Sequence, residues 1–209
     1  MNSFVDYCKD NYLELNVSKT KELVIDYRKQ KPDLDHIMIN NSAVQRTNNY
    51  KYLGVVIDDN LMWHDHINHL CKKLNPRLFC LRKLYKFGVD KKILQLFYDA
   101  VICSVWKYCL CCWGGNARAY DTDRISSTIR QASRLIGEDL DTFDLVYEEI
   151  IRQKLNRVRK NCDHPLHDVF SRAIIKRSGR MRLPRAKTNR YMSSFVSQAI
   201  SVYNKDFKR

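Results

Sequence analysis

The chain has few residues that break or stiffen a backbone, with six glycines and four prolines in 209 residues. That scarcity disfavours a turn-rich sandwich and favours helices. It has no Gly-x-Gly-x-x-Gly, no phosphate-binding loop and no Gly-x-Ser-x-Gly. The dinucleotide, nucleoside-triphosphate and hydrolase chemistries built on those turns are therefore excluded. Its start, Met1-Asn-Ser-Phe-Val-Asp, lacks the basic residues and apolar run of a signal peptide, so a nuclear or cytoplasmic location is expected. The most apolar stretch, Ile93 to Trp113, carries Gln95, Asp99 and Lys107. Mid-membrane charges are costly, so a buried soluble helix is expected there, with no membrane partner.

Acids are scarce at one end. From Ile151 to Arg209 sixteen Lys and Arg stand against Asp163, Asp168 and Asp206, a net of +13, while the first 150 residues are nearly neutral at +1. One end of the molecule is thus suited to a polyanion. The densest part, Lys176 to Arg190, holds seven bases and no acid. A run of like charge repels itself unless phosphates or other anions lie against it. A solvated tail or a nuclear-import patch would have the same composition. Contact with an RNA or DNA backbone is the favoured reading, with Arg180, Arg182, Arg185, Lys187 and Arg190 on phosphates and Tyr191 free to stack on a base.

Eight cysteines are plentiful, yet in a reducing compartment they remain thiols and behave as small hydrophobes. Cys109 and Cys112 have Cys-x-x-Cys spacing, but no second tight pair accompanies them. Cys162, His164 and His167 are only distant candidates, and no metal site is expected.

The pattern along the chain predicts an α+β, mainly helical architecture in three parts: 1–60, 61–137 and 138–209. Phe4 to Leu15 reads as the end of an amphipathic helix. Glu22 to Tyr27, His36 to Ile39 and Tyr50 to Ile57 read as strands of a small antiparallel ribbon. Trp63, Ile67, Leu70 and Leu74 then share one helix face, which Pro76 interrupts and which resumes to Gly88. Asp90 caps a long helix to Trp113, ended by Gly114-Gly115. Ile125 to Ile136 forms a further helix before Gly137. Thr142 opens another, with Glu148 and Arg152 as an i,i+4 pair. Ser194 to Tyr203 closes the chain, and the basic segment is expected to be loosely structured.

Two constellations suggest chemistry and are better explained otherwise. Asp58-Asp59 follows an apolar strand, where polymerases place metal-binding acids. No preceding strand supplies a further carboxylate, so the pair reads as a turn. His64, His66 and His69 lack the His-x-x-x-His spacing of helical zinc sites. His66 and His69 are expected on an exposed helix face.

Several ordered motifs resemble those of one family. Leu13-Glu-Leu-Asn-Val-Ser-Lys-Thr-Lys21, Tyr50-Lys-Tyr-Leu-Gly-Val-Val-Ile-Asp58, Leu61-Met-Trp63 and Trp113-Gly114 resemble the end of the reverse transcriptase of LINE-type (non-LTR) retrotransposons. His164-Pro-Leu166, Ser178-Gly-Arg180, Arg182-Leu-Pro184, Thr188-Asn-Arg-Tyr191 and Ser194-Phe195 are similar to the carboxyl terminus of one such clade. By this resemblance residues 1–60 are the end of the palm, 61–137 a helical thumb and 138–209 a helical and basic nucleic-acid-binding region. Asn16 and Lys19 match the motif D loop, near the incoming nucleotide. Tyr52, Leu53 and Gly54 match the motif E hairpin, the primer grip. The family's catalytic Tyr/Phe-x-Asp-Asp hairpin lies before motif D and would precede Met1. The resemblance therefore implies a truncated, catalytically incomplete polymerase fragment, a decayed genomic copy read as a gene. It would have no cofactor of its own, since Mg2+ would need the upstream palm acids.

Residues 13–29 also resemble the short amino-terminal module of AlkB homologue 8, whose family combines 2-oxoglutarate dioxygenase and tRNA methyltransferase activities. This chain has neither a His-x-Asp pair nor a glycine-rich cofactor loop, so neither activity is expected.

Overall fold

The computed structural model describes residues 2–208, the side chains of Asn2 and Lys208 excepted. They fall into two compact units divided between His66 and Ile67.

The first unit contains α1 (Asn2–Asp10), a short 3-10 turn (Val17–Lys19) and six brief strands. These are β1 (Lys21–Glu22), β2 (Met38–Ile39), β3 (Ser42–Ala43), β4 (Gln45–Arg46), β5 (Asn49–Tyr52) and β6 (Val55–Asp58). β1 pairs in parallel with β4, while β2 pairs with β3 and β5 with β6 antiparallel. Two expected strands are corrected. Glu22 to Tyr27 is strand only at its first residue, because β4 ends at Arg46 and offers the later residues no ladder partner. Tyr50 to Ile57 is a hairpin, not one strand, turning at Leu53 and Gly54 with φ of 46° and 89°. Two consecutive positive φ values are what a two-residue turn between twisted strands requires.

A small core of Val5, Ile39 and Val44, flanked by Leu15, Val17 and Ile37, holds this unit. It leaves much apolar surface in water, with Tyr12 99% and Leu13 57% exposed. Leu13 is exposed, whereas Leu15 and Val24 are half-buried. Asp58 ties the hairpin to the loop that follows it. Its carboxylate accepts from the N–H groups of Met62 at 3.1 Å and Trp63 at 3.0 Å. Both donors precede the helix, and the carboxylate gives these loop N–H groups an acceptor. Asp58 is the last residue of β6 and Asp59 opens the turn that follows, so the pair sits at the expected strand-to-helix turn. His66 is not exposed as expected but 1% accessible. The helix begins at His64, which swings His66 toward β6, where Nδ1 accepts the Val56 N–H at 3.3 Å.

The second unit is helical. α2 (His64–Lys86) runs unbroken through Pro76, correcting the expected interruption. Proline costs about 3 kcal/mol within a helix. Ile67, Leu70, Leu74, Leu78 and Leu81 are all buried along one face, and each such side chain returns about 1.5–3 kcal/mol. Packing outweighs the proline.

Asp90 caps α3 (Lys91–Phe97), accepting the Lys92 N–H at 2.8 Å. The expected long helix then deviates twice. Tyr98–Cys103 winds as a π-helix before α4 (Ser104–Lys107), and the chain breaks at Cys109, whose φ is 50°, before α5 (Leu110–Trp113). The indole N–H of Trp113 donates to the Tyr108 carbonyl at 3.1 Å, satisfying an acceptor at the break. By composition Lys91–Trp113 is long and apolar enough to cross a membrane, and 33% of its apolar window is buried inside the structure.

α6 (Ala119–Ile136) ends at left-handed Gly137, and α7 (Phe143–Lys160) starts at Thr142, whose hydroxyl accepts the Leu145 N–H. Phe143 lies 5.9 Å from Trp106, 6.0 Å from Trp113 and 6.5 Å from Tyr147, ring to ring. Such pairs add about 0.5–1.5 kcal/mol each beyond burial. Tyr147 explains Gly114-Gly115. A Cβ on Gly114 would come within 2.9 Å of the Tyr147 ring, and one on Gly115 within 2.5 Å of its hydroxyl and 2.6 Å of the Ser193 carbonyl. The glycines allow this close approach. The chain closes with α8 (His167–Ala173), α9 (Asn189–Met192) and α10 (Phe195–Lys205), of which α10 packs along α7.

Candidate nucleic-acid interface

The basic segment is more ordered than its composition suggested. Ile174 and Met181 form an antiparallel bridge, with Ile175 N–H donating to the Arg180 carbonyl at 2.7 Å and Arg182 N–H to the Ala173 carbonyl at 2.8 Å. Lys176, Arg177, Ser178 and Gly179 are the turn of this small hairpin. Gly179 has a φ of 69°, a conformation that a Cβ would strain.

α10 holds the hairpin in place. Met181 is 2% exposed, and its backbone is bonded on both sides by Asn204: its N–H donates to Oδ1 at 2.9 Å and its carbonyl accepts from Nδ2 at 2.8 Å. The Tyr203 hydroxyl donates to the Gly179 carbonyl at 3.2 Å, and the Arg180 guanidinium donates to the Phe207 carbonyl at 3.2 Å. The expectation of a loosely structured tail is thus corrected for residues 173–182. Local repulsion is overcome by part-buried hydrogen bonds to a residue twenty-three positions downstream.

The anchor brings a third segment into place. The Arg159 guanidinium, near the end of α7, lies over the Tyr203 ring at 5.1 Å from its centroid. Tyr203 in turn lies 5.2 Å from the ring of Phe207, which is 40% exposed. The end of α7, the hairpin and the end of α10 therefore meet around Tyr203.

Charge is sorted across these elements. Arg152 pairs with Glu149 at 2.9 Å and with Asp206 at 3.4 Å, Lys205 pairs with Glu148, and Arg172 pairs with Asp168 at 3.2 Å. The expected Glu148–Arg152 pair is corrected accordingly: α10 delivers Lys205 to Glu148, and Arg152 turns to Glu149. The nearby acids are thereby neutralised. Among the described residues no carboxylate pairs with Arg159, Lys176, Arg177, Arg180, Arg182, Arg185 or Lys187, and all seven are exposed. Such unneutralised cations are what a phosphate backbone selects.

The other expected contacts are placed less uniformly. Arg190 is half-buried, while Tyr191 is 45% exposed on α9, one turn from its cap Thr188. Arg159, Tyr203 and Phe207 were not foreseen, because they lie on helices outside the densest charge run. Arg159 in the last turn of α7 was the available signal, beside Arg157 and Lys160.

In the first unit, Asn16 caps the 3-10 turn, its Oδ1 accepting from Lys19 N–H at 3.1 Å and from the Ser18 hydroxyl at 2.7 Å. Lys19 is exposed. Tyr52 and Leu53, at the hairpin tip, are 58% and 72% exposed, with Gly54 completing the turn. Among the described residues no three His, Cys, Asp or Glu side chains gather so as to hold a metal ion. Comparison with family models, curated proteins and solved structures finds no match.

Proposed function

We propose that this chain corresponds to the carboxyl-terminal part of a LINE-type reverse transcriptase, and that its own capability is sequence-tolerant binding of a nucleic-acid backbone rather than polymerisation. The observation that carries the binding reading is the hairpin Ile174–Arg182, an exposed cationic turn pinned to α10 by Asn204 and Tyr203. A preformed site pays less ordering entropy on binding than a disordered tail would. Arg180, Arg182, Arg185 and Lys187 supply phosphate contacts, Arg159 extends them onto α7, and Phe207 and Tyr191 offer faces for unpaired bases.

The polymerase lineage rests on the ordered motifs from Leu13 to Phe195. Supporting it, the Tyr52-Leu53-Gly54 stretch forms a tight hairpin with an exposed apolar tip, and a long helix follows it. Two-metal phosphoryl transfer needs clustered carboxylates, and here the Asp58 carboxylate accepts from the Met62 and Trp63 N–H groups instead.

Fluorescence anisotropy with short RNA and DNA tests the binding reading. The chain should bind both with little sequence preference, and a variant with Arg180, Arg182 and Arg185 changed to Gln should bind at least tenfold more weakly. Equal affinity of variant and parent would remove this surface from nucleic-acid contact.

A further inference from the structure

We propose that Cys111 and Cys112 form a two-sulfur chelating site for a trivalent, monosubstituted arsenical, independent of the basic surface. The two Sγ atoms lie 3.9 Å apart. Two sulfurs bonded to one pyramidal As(III) centre at about 2.3 Å, with an S–As–S angle of roughly 95°, would stand about 3.4 Å apart, so a small χ1 rotation brings the pair to chelating distance.

The competing fate, a disulfide between neighbours, is disfavoured by the backbone. Consecutive Cα atoms are held about 3.8 Å apart, below the roughly 4.4–6.8 Å that disulfides span. Closing the bond would require distortion of α5, whose ends Leu110 and Trp113 are both 0% exposed. The pair is therefore built to remain a dithiol. Since no three potential ligands gather among the described residues, a centre satisfied by two sulfurs fits better than an ion needing four protein ligands.

The surroundings favour reaction. Cys112 is exposed and Cys111 half-buried. Hydrogen bonding from Cys112 lowers the Cys111 thiol to about 7 despite burial, assisted by the Lys154 ammonium, and Cys112 is correspondingly raised. Cys111 is thus the first nucleophile, with Cys112 positioned to close the ring. The reaction is a condensation without change of oxidation state. Two As–S bonds form, the As=O bond of R–As=O breaks, and the oxygen leaves as water with the two thiol protons.

Phenylarsine oxide is the probe, added to the full chain after phosphine reduction, challenged with glutathione and read by intact mass. One phenylarsenic group per chain should be retained against glutathione and released by 2,3-dimercaptopropanol. Changing either Cys111→Ser or Cys112→Ser should lower the glutathione concentration that strips half the arsenical by about 100-fold, since the second thiol no longer acts intramolecularly. Cys80→Ser should leave retention unchanged. Circular dichroism checks folding, and Cys111→Ala gives a second removal of the half-buried thiol. Retention at the parent level in folded Cys111→Ser, Cys111→Ala or Cys112→Ser, or none in the parent chain, would overturn the proposal.

Discussion

The side-chain amide of Asn204 bonds both the N–H and the carbonyl of Met181, at 2.9 Å and 2.8 Å, so that α10 supplies the hairpin with the pairing of an extra strand. Asn204→Ala should leave those buried backbone groups unsatisfied, at about 1–3 kcal/mol. Its net charge is unchanged, so any fall in nucleic-acid affinity reports loss of preorganisation. Amide exchange at Met181 and Arg182 should accelerate in this variant. Unchanged exchange would show that the hairpin does not depend on the anchor.

Gly115→Ala places a methyl within 2.6 Å of the Ser193 carbonyl as well as against Tyr147. Overpacking of this kind costs about 1–3 kcal/mol. Chemical denaturation should therefore show a lower midpoint, and Tyr147→Phe should fail to restore it fully because the backbone clash persists. Complete restoration would place the whole strain on the tyrosine hydroxyl.

Asp58→Ala removes an acceptor shared by Met62 and Trp63. Leaving such N–H groups without an acceptor costs about 1–3 kcal/mol. A lower unfolding midpoint with unchanged nucleic-acid affinity is expected. Primer extension with Mg2+ and nucleotides should give no incorporation above a Lys19→Ala control, and incorporation abolished by Asp58→Ala would instead make Asp58 a metal ligand.

The Cys111 thiol carries a pH dependence. Its proton affinity is lowered in the folded chain, first by hydrogen bonding from Cys112 and then by Lys154, against the opposing effect of burial. The thiolate is favoured on folding, so the stabilisation is present above the ordinary thiol range and lost as pH falls through about 7. Iodoacetamide labelling read by peptide mass should reach half its maximal rate near pH 7 at Cys111, and only at higher pH at Cys112. Coincident profiles would contradict the asymmetry of the pair.

Much of the helical framework was legible because its signals are local. Asp90, Thr142 and Ser194 stand at helix starts, Gly137 at a helix end, and Ile125, Ile129, Ala132 and Ile136 trace a buried face. The errors arose where distant partners decide. Glu22 to Tyr27 has strand composition but no ladder partner beyond β4, and Pro76 is overridden by the apolar face it interrupts. For the candidate site, charge density located Arg180 and Arg182 directly. It could not show that Asn204 would order them or that Tyr203 would gather Arg159 beside them, since those contacts span from twenty-three to forty-four positions.

The most direct test of the central claim is the salt dependence of binding by the whole chain. With about five phosphates engaged, log affinity against log salt should fall with a slope of roughly −3.5 to −4.5. Arg159→Gln and Arg180→Gln should each flatten it by about one unit without altering sequence preference. Affinity indifferent to salt, or slopes unmoved by both substitutions, would contradict the assignment of this surface to a nucleic-acid backbone.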